Sequence, residues 1–236
     1  MSTLKPTKKI SRRQELRQDT VVTFSSRVWQ ALDNNRNLAY GILGVIALVV
    51  VGIIGYSYWQ QQREADGQRF LAPAVSLYES GDYEAALNGS DDTMGLLAVA
   101  SDFSITNAGN LARFYAADAL FRLGEYDRSL ELFEDFDKDA NYLGASALAG
   151  EAAIHEMKGQ YERAGDLFRR AAFLFPNDVT APGYLLEAGR AYELAGDYKA
   201  AVDAYNAVTK EYPASTQARN VDILVARAGA MQAPSS

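Results

Sequence analysis

Few residues of this chain could do chemistry by their type and spacing. His155 is the single histidine, and the chain has no cysteine. A general base or a metal ligand needs a partner that neither residue type supplies here. Corresponding segments elsewhere carry Leu77, Leu120 and Tyr192 at its position, so His155 reads as a packed side chain. The run Asp135-Phe136-Asp137-Lys138-Asp139 imitates the start of a calcium loop, in which alternating carboxylates converge on one cation. Such a loop next needs Gly at position 6 and Glu at position 12, where Ala140 and Ser146 stand. The run reads instead as a solvated turn, and Asp91-Asp92 as a polar loop. No Gly-rich phosphate loop, G-x-S-x-G elbow or paired-carboxylate arrangement can be singled out, and zero cysteines remove disulfides and thiol catalysis. The expectation is a protein that is not an enzyme and takes no cofactor or metal.

What those residues sit on is more informative. The 236 residues carry a net charge of -7, unevenly spread. Up to Asn37 there are eight Lys/Arg and three acids, giving +5; the remaining 15 basic and 27 acidic residues give -12. A basic arm on an acidic body indicates two different surroundings, and the -12 body disfavours nucleic acid.

The boundary between arm and body is an uncharged stretch from Asn37 to Gln62. Its centre, Leu38 to Tyr58, is 21 residues long, about 30 Å as a helix and so the thickness of a bilayer core. Its eleven Leu, Ile and Val residues favour insertion by about 3–7 kcal/mol before the Gly and Ser terms are subtracted. Tyr40 at one end and Tyr56, Tyr58 and Trp59 at the other suit the membrane interfaces. The alternatives are a buried soluble helix or a cleaved signal, and Tyr56-Ser57-Tyr58-Trp59 offers no small-x-small cleavage site. An uncleaved anchor over 38–59 is the expectation, with the basic tail (1–37) in the cytosol by the positive-inside rule and the rest exported. Within the tail, Val21, Phe24, Val28 and Leu32 suit a short amphipathic helix on the lipid surface; a disordered arm with helical bias is the alternative. Within the span, Gly41, Gly44, Gly52 and Gly55 share one ~80° stripe with Leu48 at its centre. Such a face lets a second membrane helix approach, including one from a second copy of the chain.

After a short linker (60–66), one phrase recurs: GDYEA from Gly81, GEYDR from Gly124, GQYER from Gly159 and GDYKA from Gly196. Setting each Gly as position 15 of a 34-residue helix-turn-helix frame gives units near 67–90, 110–143, 145–178 and 182–215. The last carries Ala188-Gly189 at 7 and 8, Tyr192 at 11, Ala201 at 20, Tyr205 at 24, Val208 at 27 and Pro213 at 32. Small residues at 8 and 20 let the two helices of a unit, A and B, cross closely, while aromatics at 17 and 24 fill the gap to the next unit. Gly at 15 ends helix A through the left-handed region, and a following Asp caps helix B. Unit two lacks the closing Pro, and the first unit breaks down at NGSDDTMG, where about nine residues are inserted. There a loop, a helix around Gly95–Asp102 and a turn are expected. A final helix, 217–231, covers the open end with Ala218, Val221, Leu224, Val225 and Ala228.

These positions resemble the tetratricopeptide repeat at nearly every signature site except the first Trp, which is Leu185. The resemblance implies an all-α fold: one transmembrane helix, then a tetratricopeptide α-solenoid (67–236) of three to four units plus a capping helix. It also implies a concave groove lined by helix A positions 2, 5, 9, 12 and 13. From that set the candidate protein-binding residues are Leu111, Phe114, Asp118, Phe121, Arg122, Met157, Leu186 and Arg190. Arrays that clamp a C-terminal carboxylate place Lys/Arg and Asn there; Asn is missing here. A mixed, partly apolar groove suits an extended or partly unfolded polypeptide, or a partner's helix.

The whole order of parts resembles the ancillary SecYEG translocon subunit family of bacteria. That resemblance implies an inner-membrane protein with a periplasmic domain, and as partners translocon subunits, periplasmic chaperones and nascent or unfolded chains, with lipid around the anchor. A scaffold for another envelope complex (outer-membrane assembly, division or secretion) stays open, since Tyr212-Pro213-Ala214-Ser215 resembles envelope repeat proteins of that kind.

Overall fold

Four glycines set the architecture. Gly81, Gly124, Gly159 and Gly196 have φ of 86°, 81°, 73° and 80°, the left-handed region that a Cβ disfavours. Each ends a helix with the same pair of bonds. The Gly N–H donates three residues back (Gly196 to the Glu193 carbonyl, 3.0 Å), and the next N–H donates five back (Asp197 to Tyr192, 2.9 Å). This 5→2 and 6→1 pattern satisfies carbonyls that the helix end would orphan. The recurring phrase is a helix stop. The cap that follows is less uniform than expected. Asp82 and Asp197 accept from Ala85 and Ala200 N–H at 3.3 and 2.9 Å, but Glu125 and Gln160, one methylene longer, make no such bond.

The computed structural model describes residues 36–232, so the amphipathic pattern at Val21–Leu32 lies outside the described residues. These contain ten α-helices and one two-stranded sheet. The order is α1 (Arg36–Glu79), α2 (Tyr83–Asn88), β1 (Gly89–Ser90), β2 (Thr93–Met94), α3 (Leu96–Asp102), α4 (Asn107–Arg122), α5 (Tyr126–Asp135), α6 (Tyr142–Met157), α7 (Tyr161–Leu174), α8 (Ala181–Ala195), α9 (Tyr198–Glu211), a 3-10 turn (Gln217–Arg219) and α10 (Val221–Gln232). The chain divides into two units at Trp59/Gln60.

In the first unit, α1 is long and apolar enough to cross a membrane, with a mean hydropathy of 2.3 over its most apolar window. Its Leu, Ile and Val side chains are exposed from Ile42 to Ile54. A Cβ added at Gly41, Gly44, Gly52 or Gly55 would meet nothing within 4 Å, so that stripe is open.

In the second unit, consecutive helices pair around each turn glycine. Ala74, Ala86, Ala117, Ala152, Ala164 and Ala201, at positions 8 and 20, are fully buried. Ser129, the one hydroxyl in that set, donates to the Ala117 carbonyl at 2.7 Å, which resolves the cost of burying it. Gly189 shows why a still smaller residue is needed: an added Cβ would run into the Tyr205 ring. Three expectations change. Residues 60–66 are a working part of the body instead of a linker. They are helical, without Gly or Pro, and the Glu64 carboxylate accepts from Asn107 and Ala108 N–H (2.7 and 3.2 Å) at the start of α4, where the helix dipole favours a negative charge. The Arg63 guanidinium lies over the Phe103 ring at 4.7 Å. The loop expected in the inserted segment is a minimal hairpin, Gly89 opposite Met94 and Ser90 opposite Thr93, while the helix expected around Gly95–Asp102 is found as α3. Its Leu96, Val99 and Ala100 are buried and complete the core that the six-residue α2 leaves short. The final helix starts at Val221, with Gln217–Arg219 as a 3-10 turn; Val221 and Ala228 are fully buried on the expected face.

Candidate protein-binding groove

The candidate chemical residues are absorbed into packing. His155 is 5% exposed, with Nδ1 at 2.5 Å from Gln160 Oε1. In the Asp135–Asp139 run, oxygens converge on an ammonium. Lys138 Nζ donates to the carbonyls of Phe133, Glu134 and Phe136 and pairs with the buried Glu151 carboxylate at 2.9 Å. Lys138 thus caps the C-terminus of α5, which has neither Gly nor Pro to close it. Asn110 clamps the same turn, accepting from Asp137 N–H at 3.0 Å. Among the described residues, no group of three or more His, Asp or Glu is placed to hold a metal.

The predicted groove residues divide by role. Phe114 is half-buried, its ring 5.9 Å from Phe133 and 5.5 Å from Phe136; Phe121 packs 5.5 Å from Tyr126. Both are engaged within the body. Leu111 and Leu186 are partly buried against the core. Met157 stands 61% exposed. Asp118, Arg122 and Arg190 belong to a polar ladder.

That ladder was not singled out from the sequence. At three junctions, position 12 of one unit meets position 9 of the next helix A. Tyr78 donates to Asp118. Arg190 grips Glu156 with both terminal nitrogens at 2.8 and 2.6 Å. Arg227, on α10, grips Glu193 at 3.1 and 2.5 Å. Both Glu–Arg pairs are separated by 34 residues; that shared spacing was the readable signal. Two-point guanidinium–carboxylate contacts fix orientation as well as distance. Arg122 adds a 2.5 Å bond to Asp118 and sits over the Tyr83 and Tyr78 rings at 5.4 and 5.9 Å.

The ladder holds its charges. Burial first, then the bond to Asp118, pushes the Tyr78 phenol up to about 12. Burial and the neighbouring Glu193 push Tyr205, which donates to that carboxylate at 3.1 Å, up to about 12. Hydrogen bonding to Asp118, Glu156 and Glu193 raises the Arg122, Arg190 and Arg227 guanidinium groups further. No cation or phenol of the ladder titrates near neutrality. The arrangement presents a surface of fixed charge and shape.

No curated protein matches the sequence. Residues 114–179 match one tetratricopeptide repeat family model and residues 184–215 match another, beginning after the segment that carries the hairpin. The body is an α-solenoid built on tetratricopeptide repeats, a fold that typically binds protein partners.

Proposed function

We propose that this protein is a membrane-anchored interaction scaffold whose exported solenoid holds partner polypeptides as an accessory of the protein-export translocon and periplasmic chaperones. The observation that carries this reading is one chain with a 44-residue helix containing an exposed apolar segment and, after it, a repeat fold without a catalytic constellation among its described residues. The anchor spans the bacterial inner membrane, with the basic tail in the cytosol. The binding surface draws on the helix A set, foremost the exposed Arg122, Met157 and Arg190 with Asp118 and Leu186 behind them. Leu111, Phe114 and Phe121 support that surface from within. The stripe of Gly41, Gly44, Gly52 and Gly55 around Leu48 packs against another membrane helix.

Crosslinking in intact membranes followed by mass spectrometry tests the assignment. Translocon subunits and nascent chains should be recovered. Their absence, with a stable outer-membrane assembly or division partner instead, replaces it with the envelope-scaffold reading. A phosphatase fused after Ser236 should be active, which checks the orientation. Gly44→Ile with Gly52→Ile should abolish membrane-embedded crosslinks; unchanged crosslinks remove the stripe as an interface.

A further inference from the structure

The ladder leaves a second feature beside it. One helical turn beyond each position 9 lies position 13, on the same face of the helix. After Ala153, Arg190 and Arg227 these residues are Met157, Leu194 and Met231, and they are 61%, 51% and 62% exposed. Three successive layers place a long, flexible apolar side chain in water at one register, where a single exposed apolar residue would need no explanation. The Arg190–Glu156 and Arg227–Glu193 pairs establish that the three layers are side by side. A hollow of about 560 Å³ opens beside the middle residue of the row, between the Gly159–Arg163 turn and Leu194–Ala195. Carboxylates exceed cations around Arg190, which is held between Glu156 and Glu187. Glu162 and Arg163 both line the hollow; Arg163 lies 3.8 Å from Glu134, Glu162 has no ion pair among the described residues, and the chain beyond Asn37 carries -12.

We infer that this row docks an extended, basic polypeptide segment carrying an apolar side chain at every third residue. Packed helices lie about 8–10 Å apart, and a polypeptide extended as polyproline II rises about 3.1 Å per residue with three residues per turn, so one anchor per layer on one face means one anchor per three residues. Basic residues between the anchors meet the carboxylates around the row. The flexible thioethers of Met157 and Met231 adapt to different anchors, which suits a client that varies in sequence. The inference rests on the scaffold reading above and names the chemistry of its partner.

The test uses the full chain in nanodiscs of zwitterionic lipid, with empty nanodiscs as blank. The probes are fluorescent 15-residue peptides with Leu at every third position and Lys between, read by anisotropy. Met157→Gln, Leu194→Gln and Met231→Gln together should weaken binding at least tenfold. Val179→Gln with Ile223→Gln, exposed residues off the row, should change it less than twofold. Replacing Lys by Glu, or moving Leu to every second position, should each weaken binding at least tenfold. Wild-type affinity in the triple variant, or indifference to either peptide change, overturns the inference. Membrane crosslinks that persist in the triple variant then leave the scaffold reading standing, whereas an absence of polypeptide crosslinks in the wild type removes that reading itself.

Discussion

The junction between the second and third helix pairs is built differently from the two that follow it. From α6 to α10 the buried residues form one continuous cluster, from Leu148 through Tyr192 and Tyr205 to Ala228, and a two-point ion pair closes each junction on the helix A side. Between α4–α5 and α6–α7 the ladder positions are Phe121 and Ala153, which cannot pair. A small middle cluster of Ala117, Phe133, Phe136, Ala147 and Ile154 bridges two larger ones. The buried contact Lys138–Glu151 replaces the ladder, with Lys158–Asp127 (2.5 Å) outside it. In a solenoid, stability is a sum of unit and interface contributions. The C-terminal layers are therefore expected to unfold as one block, with the second junction as the place where unfolding divides.

The largest effects should come from the aromatics on either side of that division. Phe133→Ala and Tyr205→Ala should each cost about 3–5 kcal/mol by chemical denaturation. Phe133 packs against Phe114 on its own side and reaches across the seam to Gly150, so its loss should split unfolding into two phases. Tyr205→Ala should leave the N-terminal layers cooperative. A single phase in both would erase the distinction. Lys138→Met strands the Glu151 carboxylate (7% exposed) and should cost about 3–5 kcal/mol. Adding Glu151→Leu should return most of that; additive losses would mean the pair does not couple the layers. On the exposed side, a double-mutant cycle between Glu156→Gln and Arg190→Gln should give about 0.5–1 kcal/mol, falling with added salt. The smallest effect is alkaline. Tyr78 and Tyr205 hold their protons to about 12 in the fold against 10.0 in the unfolded chain. Their contribution is complete below pH 10 and is lost between pH 10 and 12. Tyr78→Phe and Tyr205→Phe should each flatten the fall in stability over that window; a slope unchanged in both would mean neither phenol is held.

The repeats were legible because their grammar is local. A left-handed backbone at Gly81, Gly124, Gly159 and Gly196 concerns one residue and its immediate bonds, and small residues at positions 8 and 20 announce close helix crossings. The site was less legible. Phe114 and Phe121 read as groove anchors because helix A faces the groove at positions 5 and 12. They are drawn inward because α5 ends after ten residues and Phe136, leaving it in an extended conformation, folds back onto Phe114. Glu64 looked like linker because its partners, the N–H groups of Asn107 and Ala108, lie more than forty residues ahead.

By itself, then, the sequence determined the all-helical repeat, its phase, and an apolar segment of membrane-spanning length, since each follows from periodicity and single-residue backbone preference. Only the tertiary structure decided which side chains meet between layers. It assigned Lys138 to a helix end where a metal loop had been imitated, Arg190 and Arg227 to carboxylates one repeat behind them, and Met157, Leu194 and Met231 to open water. The physical reason is range: a turn is closed by neighbours in the chain, whereas a surface is assembled from residues that only packing brings side by side.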